Sequence, residues 1–401
     1  MNFLSTRVQT IKPSPIFSII QKTRELTAKG HDIINLAGGE PDFPTPKAAQ
    51  DAAIHAMQTG QTLYTAVDGI PELKKAIQEK FKHENNIDFS LDEIMVSTGA
   101  KQVLYNAFMA TLNPGDQVII PAPYWVSYPE MVALAEGEPV FVACTLENDL
   151  KLTPEMLENA ITPKTKWLLL NSPNNPTGAV YTQEELISLA DVLMRHPHVY
   201  VMSDDIYEHI LFDHRMFYTM ASVAPKLAER VLTINGVSKT YAMTGWRIGY
   251  AGGPKHLIQA MKTIQSQSTS CASSIAQAAA WGALTQPQDF LQEWSDDYQE
   301  RRDFVVNQLN QIPGLHCTSP EGAFYVLASC VGVLNKRTPD GNVLKDDHDF
   351  VTYLLESAGV AVTPGIVFGA KGYFRLAFPV SREILDKACK NIARAVKNLQ
   401  S

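Results

Sequence analysis

The stretch WLLLNSPNNPTGAVYTQEELISLADVLMRHPHVYVMSDDIY, residues 167–207, sets the architecture. Its first four residues are continuously apolar, the pattern of a strand covered on both faces. The run breaks on 171–178, where two prolines and a glycine make a rigid turn. Leu186, Leu189, Ala190 and Leu193 then fall at helical spacing within 183–195, so this segment reads as an amphipathic helix. A second apolar run, 199–202, ends in Ser203, Asp204 and Asp205. Strand, helix and strand in this order make a parallel crossover unit.

Outward from this unit, similar apolar runs stand at 94–97, 117–120, 140–143 and 231–234, and 72–82 carries Leu73, Ile77 and Phe81 four apart, one stripe of a helix. The alternation predicts an α/β fold, with a mostly parallel central sheet flanked by helices. Beyond residue 286 the texture changes. A long polar helix-like stretch, 289–311, precedes three strand candidates at 324–328, 360–363 and 374–378, interrupted by a Gly/Pro/Lys/Asp-rich loop at 336–347. The expected division is an N-terminal segment, 1–46, joining a small domain; a large domain, 47–285; and a small α+β C-terminal domain, 286–401.

The 401 residues leave room for more than one core, and 45% hydrophobic with 19% charged residues is the balance of an ordinary folded globule. Lys and Arg number 34 against 42 Asp and Glu, and the net charge of −8 disfavours a nucleic-acid backbone or an anionic membrane as partner. Cys144, Cys271, Cys317, Cys330 and Cys389 show neither CxxC nor metal-ligand spacing; they read as reduced core thiols, and no metal is expected. No stretch approaches the ~20 apolar residues of a spanning helix, and no signal pattern opens the chain, so a cytoplasmic location is the expectation.

Polar residues concentrate where the strand candidates end, the place where open α/β sheets bind ligands. Residues 96–101 leave a strand through Gly99, Ala100 and Lys101 into a helix at 102–110, offering backbone N–H groups to a phosphate. Asp204 and Asp205 end another strand, as ligand groups or as a helix cap. Lys239 follows the run 231–234, with Ser238 beside it and Arg247 beyond. A lysine of ordinary pKa near ~10.4 is almost wholly protonated, whereas burial depresses the pKa and makes the amine a nucleophile and base. The 171–178 loop aims Asn175. Taken singly, each has an ordinary structural use as a turn, a cap or a surface charge. Together they are the parts that hold pyridoxal 5′-phosphate: an amine for a Schiff base, an arginine and hydroxyls for phosphate, and a carboxylate that keeps the ring nitrogen protonated.

Eight ordered motifs carry a family resemblance: LAGGEPDFPTP (36–46), YTAVDGIPEL (64–73), GAKQ (99–102), PAPYWVSYPEM (121–131), NSPNNPTG (171–178), SDDIYEH (203–209), SKTYAMTGWRIGY (238–250) and FRLAF (374–378). Through nearly its whole length the chain resembles the fold-type I, class I pyridoxal-phosphate aminotransferases, and within them the bacterial aspartate aminotransferases of subgroup Ib. The resemblance implies that Lys239 joins the cofactor aldehyde and moves a proton between Cα and C4′. It places Asp204 on the ring nitrogen, Tyr207 and Asn175 on the phenolate oxygen, and Trp125 against the ring. The phosphate falls to Gly99, Ala100, Lys101, Ser238 and Arg247. Asp205 stands where relatives usually have glutamate and keeps a supporting role. Arg375 would grip the substrate α-carboxylate, helped by Asn175 and the Gly39 backbone. Tyr64 would reach the phosphate of a neighbouring subunit, which implies a homodimer with shared active sites.

The implied reaction is ping-pong transamination between an amino acid and a 2-oxo acid. Lys101 stands where subgroup relatives bind the distal carboxylate of aspartate, so L-aspartate with 2-oxoglutarate is the expected pair. Ile16 and Ala377 replace threonine and serine of close relatives and make the pocket less polar, and Lys12 falls in the segment expected over the substrate. An aromatic amino acid or prephenate aminotransferase is therefore the alternative. A β-lyase or decarboxylase would use the same fold, and a non-catalytic module would need a DNA-binding segment that nothing before Gly38 resembles. A nicotinamide enzyme is disfavoured by the lack of GxGxxG after the first strand.

Overall fold

The computed structural model describes residues 3–11 and 15–400. Lys12 and the side chain of Ile16, both named above for the substrate, lie outside the described residues. The central sheet has seven strands in the order Ile94–Ser97, Gly249–Gly252, Val231–Gly236, Tyr200–Asp204, Thr165–Asn171, Gln117–Ala122 and Glu138–Ala143. All pairings are parallel except those of Gly249–Gly252, which runs antiparallel to both neighbours.

Side chains along a strand alternate between faces, and here each face meets its own core. In Thr165–Asn171, Trp167 and Leu169 join a core with Val103, Leu104 and Phe108 of helix Ala100–Thr111. Leu168 and Leu170 point the other way, into a core with Leu73 and Phe81 of helix Pro71–Asn85 and Leu186 and Leu189 of helix Gln183–Arg195. Continuous apolar character in the sequence is the trace of these two cores.

Three strands differ from the sequence expectation. Gly249–Gly252 gave no strand signal, because three of its four residues are glycine or alanine. Its glycines serve close approach instead: a Cβ on Gly249 would collide with the backbone at Gly99 and Ala100, and one on Gly252 with the Phe89 ring. Glu138–Ala143 is an edge strand with alternating exposed residues, not one covered on both faces. Further along, 360–363 divides in two: Val360–Ala361 pairs in parallel with Ile34–Asn35, while Thr363–Pro364 pairs with Tyr373–Ala377. Tyr373–Ala377 in turn pairs with Tyr325–Ser329, completing a three-stranded antiparallel sheet.

The five cysteines are free thiols. Burial pushes Cys144 up to about 11 and Cys317, Cys330 and Cys389 up to about 12, so these four stay protonated and unreactive at neutral pH. Among the described residues no helix is long and apolar enough to cross a membrane.

Trp167 fills the centre of one core and its indole N–H donates to Thr111 Oγ1 at 2.9 Å. Trp167→Ala is expected to destabilise by about 3–5 kcal/mol. The urea-unfolding midpoint checks this, and Trp167→Phe should recover much of the loss.

Candidate active site

Sheet register assembles the site. Asn171 is the partner of Asp204 across one strand pair, and Asp204 is the partner of Ile234 across the next. The loop carrying Asn175, the turn carrying Tyr207 and the segment carrying Lys239 therefore leave the same edge side by side. Asn171 strengthens this: its side-chain amide donates to the Asp204 backbone carbonyl at 2.8 Å, and its Oδ1 accepts from the Asn175 N–H at 2.9 Å.

Asp204 is buried. Its Oδ2 accepts from the Tyr128 hydroxyl at 2.7 Å, while Oδ1 has no partner among the described residues. Burial pushes its carboxyl up to about 6, against the Tyr128 hydrogen bond, a backbone N–H and the Lys239 charge, which pull it down. A dry acceptor oxygen without a donor carries a free-energy cost that a cationic N–H would relieve.

Lys239 Nζ donates to the Gly39 carbonyl at 2.6 Å. Loss of water around the amine brings it down to about 8, opposed by the charge of Glu40 and Asp204 and assisted by Arg375 and Arg247. A useful fraction is therefore unprotonated at neutral pH.

The cradle is built from backbone. Gly99 has φ +84° at the start of helix Ala100–Thr111, and a Cβ there would collide with the Arg247 guanidinium. Arg247 thus lies over the first turn of the helix, where free N–H groups and the helix dipole favour an anion. Lys101 on that first turn has its Nζ 4.7 Å from the Trp125 ring centre, and burial followed by the Arg247 charge lowers its pKa.

Arg375 is 2% exposed and lacks a carboxylate partner among the described residues. It donates to Asn175 Oδ1 at 2.9 Å, the Ala37 carbonyl at 2.7 Å and the Gly38 carbonyl at 3.3 Å, leaving Nε unpartnered. Tyr325 and Phe368 cover it with ring centres at 4.4 and 4.8 Å. A buried guanidinium held by neutral acceptors is a receptor for a carboxylate.

Gly39, Ala100, Lys101, Trp125, Asn175, Asp204, Tyr207, Ser238, Lys239, Arg247 and Arg375 line one cleft of about 1010 Å³. Gly99 lies just behind its wall, against Arg247. Asp205 points away, accepting from Ser203 Oγ at 2.8 Å, and burial pushes it up to about 7. Ala377 packs in the core of the smaller sheet and is not part of the cleft wall, so its effect on pocket polarity is not direct. Tyr64 is 93% exposed and stands apart from this chain's own cleft.

Several residues were not read from the sequence. Tyr128 lies inside the quoted motif at 121–131 but resembles a core aromatic there. Tyr325, whose hydroxyl lies 2.8 Å from that of Tyr207, sits in a strand run with no polar signal; a Cβ on Gly39 would collide with it. Thr23 and Arg24, from helix Pro15–Ala28, and Glu40 also line the cleft.

Pyridoxal 5′-phosphate fits this donor set. Asp204 Oδ1 is an unused acceptor for a protonated ring nitrogen, Arg247 with the helix start and Ser238 answers a phosphate, and Lys239 answers an aldehyde.

A family model described as "Aminotransferase class I and II" matches residues 31–392. A Rickettsia felis protein named "Probable aspartate/prephenate aminotransferase" is 56% identical over 395 residues, spanning 98% of this chain and 97% of that one. The "Aspartate aminotransferase" of Rhizobium meliloti is 53% identical over 395 residues, 98% of this chain and 96% of that one. The crystal structure of the aspartate aminotransferase from Rhizobium meliloti superposes at TM-score 0.97 with 53% identity over 100% of both chains. That of Thermus thermophilus with maleate gives TM-score 0.92 with 44% identity over 98% of this chain and 100% of that one.

Because only the neutral amine attacks an aldehyde, the rate at which cofactor-free protein takes up pyridoxal phosphate should rise with pH through an inflection near 8. Rapid-mixing absorbance across the range tests it. An inflection near the ordinary lysine value of ~10.4 would contradict the depressed amine.

Proposed function

The chain belongs to the class I and II aminotransferase family and is a pyridoxal-phosphate-dependent aminotransferase, and from that premise we propose that it moves the amino group of L-aspartate to 2-oxoglutarate, giving oxaloacetate and L-glutamate. The observation that carries this reading is that two of the cleft's cations, Lys101 and Arg375, have no carboxylate partner among the described residues. Two such cations suit a substrate with two carboxylates. The Thermus thermophilus relative solved with maleate, a dicarboxylate, supports it.

When bound, the cofactor supplies an aldehyde that takes up the amine and a ring that accommodates electrons released at the substrate Cα. In the proposed mechanism Arg375 and Asn175 hold the α-carboxylate and fix which bond at Cα is presented. Lys239, freed by the incoming amine, removes the Cα proton and delivers it at C4′; a base whose pKa lies near 8 works close to the optimum at neutral pH. Asp204 keeps a proton on the ring nitrogen, with Tyr128 fixing the orientation of its carboxyl. Tyr207, restrained by Tyr325, would offer its hydroxyl to the phenolate oxygen. Ser238, Arg247 and the start of helix Ala100–Thr111 would hold the phosphate, and Trp125 would offer its face to the ring. A second 2-oxo acid then takes the amino group by the same steps reversed.

A second reading has its own support. Relatives are named aspartate/prephenate aminotransferase, and Leu104, Trp125, Ile206 and Tyr325 give the cleft an apolar side suited to a ring-bearing substrate. Prephenate or an aromatic amino acid is the alternative substrate.

Leu63 and Tyr64 are 80% and 93% exposed, which supports a homodimer in which Tyr64 reaches the partner's phosphate site. The proposed organisation is a large cofactor-binding domain over 47–285 and a small domain over 286–401 completed by 1–46, in a cytoplasmic enzyme.

Lys239→Ala should abolish turnover and the covalent cofactor adduct, assayed by steady-state kinetics and borohydride trapping. Asp204→Asn, which cannot hold the ring proton by charge, should lower kcat by about 10²–10³-fold. Comparing kcat/KM for aspartate, phenylalanine and prephenate tests the substrate; an aromatic preference of about 100-fold, ~2.7 kcal/mol, would overturn aspartate. Amino acid without 2-oxo acid should give one turnover per site, whereas a lyase would continue.

A further inference from the structure

Behind the cleft lies a buried polar cluster that the mechanism above does not use. Lys80 and Glu208 form an ion pair with both side chains 3% exposed. Asn85 Nδ2 donates to Glu208 Oε2 at 2.8 Å, Asn235 Nδ2 donates to Glu208 Oε1 at 2.6 Å, and Lys80 Nζ donates to Asn85 Oδ1 at 2.7 Å. At its outer edge Glu84 lies 3.5 Å from Lys80 and 2.9 Å from His209 Nε2. His209 Nδ1 is 3.6 Å from Glu208 and 3.3 Å from the hydroxyl of Thr240, the residue after Lys239.

These contacts bind three segments: helix Pro71–Asn85, the turn after Asp204 that bears Tyr207, and strand Val231–Gly236, which leads to Lys239. Burial raises the Glu208 carboxyl, but Lys80 and His209 with the hydrogen bonds outweigh it and the net shift is downward, so the carboxylate stays ionised at neutral pH. Stability alone does not call for such a pair, since desolvating two charges costs about as much as their attraction returns and an apolar pair would serve. What an ion pair with two amide donors adds is a single arrangement: apolar contacts tolerate sliding, whereas directed bonds to both carboxylate oxygens do not.

We propose that Glu208, held by Lys80, Asn85 and Asn235, is a positioning residue that fixes the spacing between the Tyr207 turn and the Lys239 segment. The inference rests on the transaminase reading of Lys239. Misplacement of a reacting group by ~1 Å can cost about 10²-fold in rate while leaving substrate binding intact.

Glu208→Gln keeps the side-chain size and removes the charge that faces Lys80. In the holoenzyme it should retain full cofactor content, lower kcat by about ten-fold or more with KM for the amino acid within about two-fold, and change the visible circular dichroism per bound cofactor. Glu79→Gln, exposed on the same helix, is the control and should match wild type. Wild-type kcat and dichroism in Glu208→Gln would overturn the proposal, as would a loss of activity that merely tracks loss of cofactor. Should Glu208→Gln not fold, Asn235→Ala, which keeps the ion pair, carries the same readouts, and unchanged kcat there overturns it. A wild-type enzyme without an adduct at Lys239 would instead overturn the active-site reading on which the proposal stands.

Discussion

Everything at the active site depends on strand register. Because Asn171, Asp204 and Ile234 are successive cross-strand partners, the backbone delivers a carboxylate, an amide loop and an amine-bearing segment to one edge without any side chain having to find another. A slip of one residue would turn Asp204 away from the cleft and into a core, since side-chain direction alternates along a strand. That slip is opposed by the packing of Val201 into the core on one face and of Met202 into the core on the other, both buried. The same apolar residues that stabilise the fold therefore set the chemistry.

With alignment settled by the core, the site can carry groups that oppose folding. Asp204 Oδ1 and Arg375 Nε are buried without partners among the described residues, and the half-buried Lys239 amine is partly desolvated. Each raises the free energy of the protein alone, and in the proposed assignment each would be relieved by a particular part of a ligand: a protonated ring nitrogen, a carboxylate, an aldehyde carbon. Binding of cofactor and substrate should thus draw on free energy already stored in the native state, so that affinity and orientation have the same source. The surrounding partners, the Tyr128 hydroxyl donating to Asp204 and the Asn175 amide oxygen accepting from Arg375, are neutral. They fix direction without cancelling the charge.

The parts of this arrangement that show in the sequence are those with a local pattern. The parallel strands, helices Pro71–Asn85 and Gln183–Arg195, and the polar residues at strand ends follow from periodicity and punctuation. Lys239 and Asp204 are legible because charge directly after an apolar run is unusual. The remainder depends on contacts between distant segments. Tyr325 meets Tyr207 across 118 residues, and Gln265 holds the carbonyls of Val67 and Val96, linking the Tyr64 loop to the cradle strand. Strand Gly249–Gly252 is illegible for the opposite reason: only Tyr250 carries a large side chain, and the close approach of Gly249 to Gly99 and Ala100 leaves no hydrophobic signature.

Lys101 shows how one cleft can receive substrates of different polarity. An amine fixed in a buried ion pair would demand a carboxylate at that point, and a ring-bearing substrate without one would leave it unsatisfied. Here the amine rests over the face of Trp125, an attraction worth about 0.5–2 kcal/mol. A dicarboxylate can outbid that contact, because a charge-assisted hydrogen bond in a partly dewatered site is stronger. A substrate with an apolar ring need not displace it and could lie against Trp125 itself. Under the proposed assignment, selectivity for the α-carboxylate at Arg375 would be strict, while selectivity at the far end would be a difference between two modest interactions.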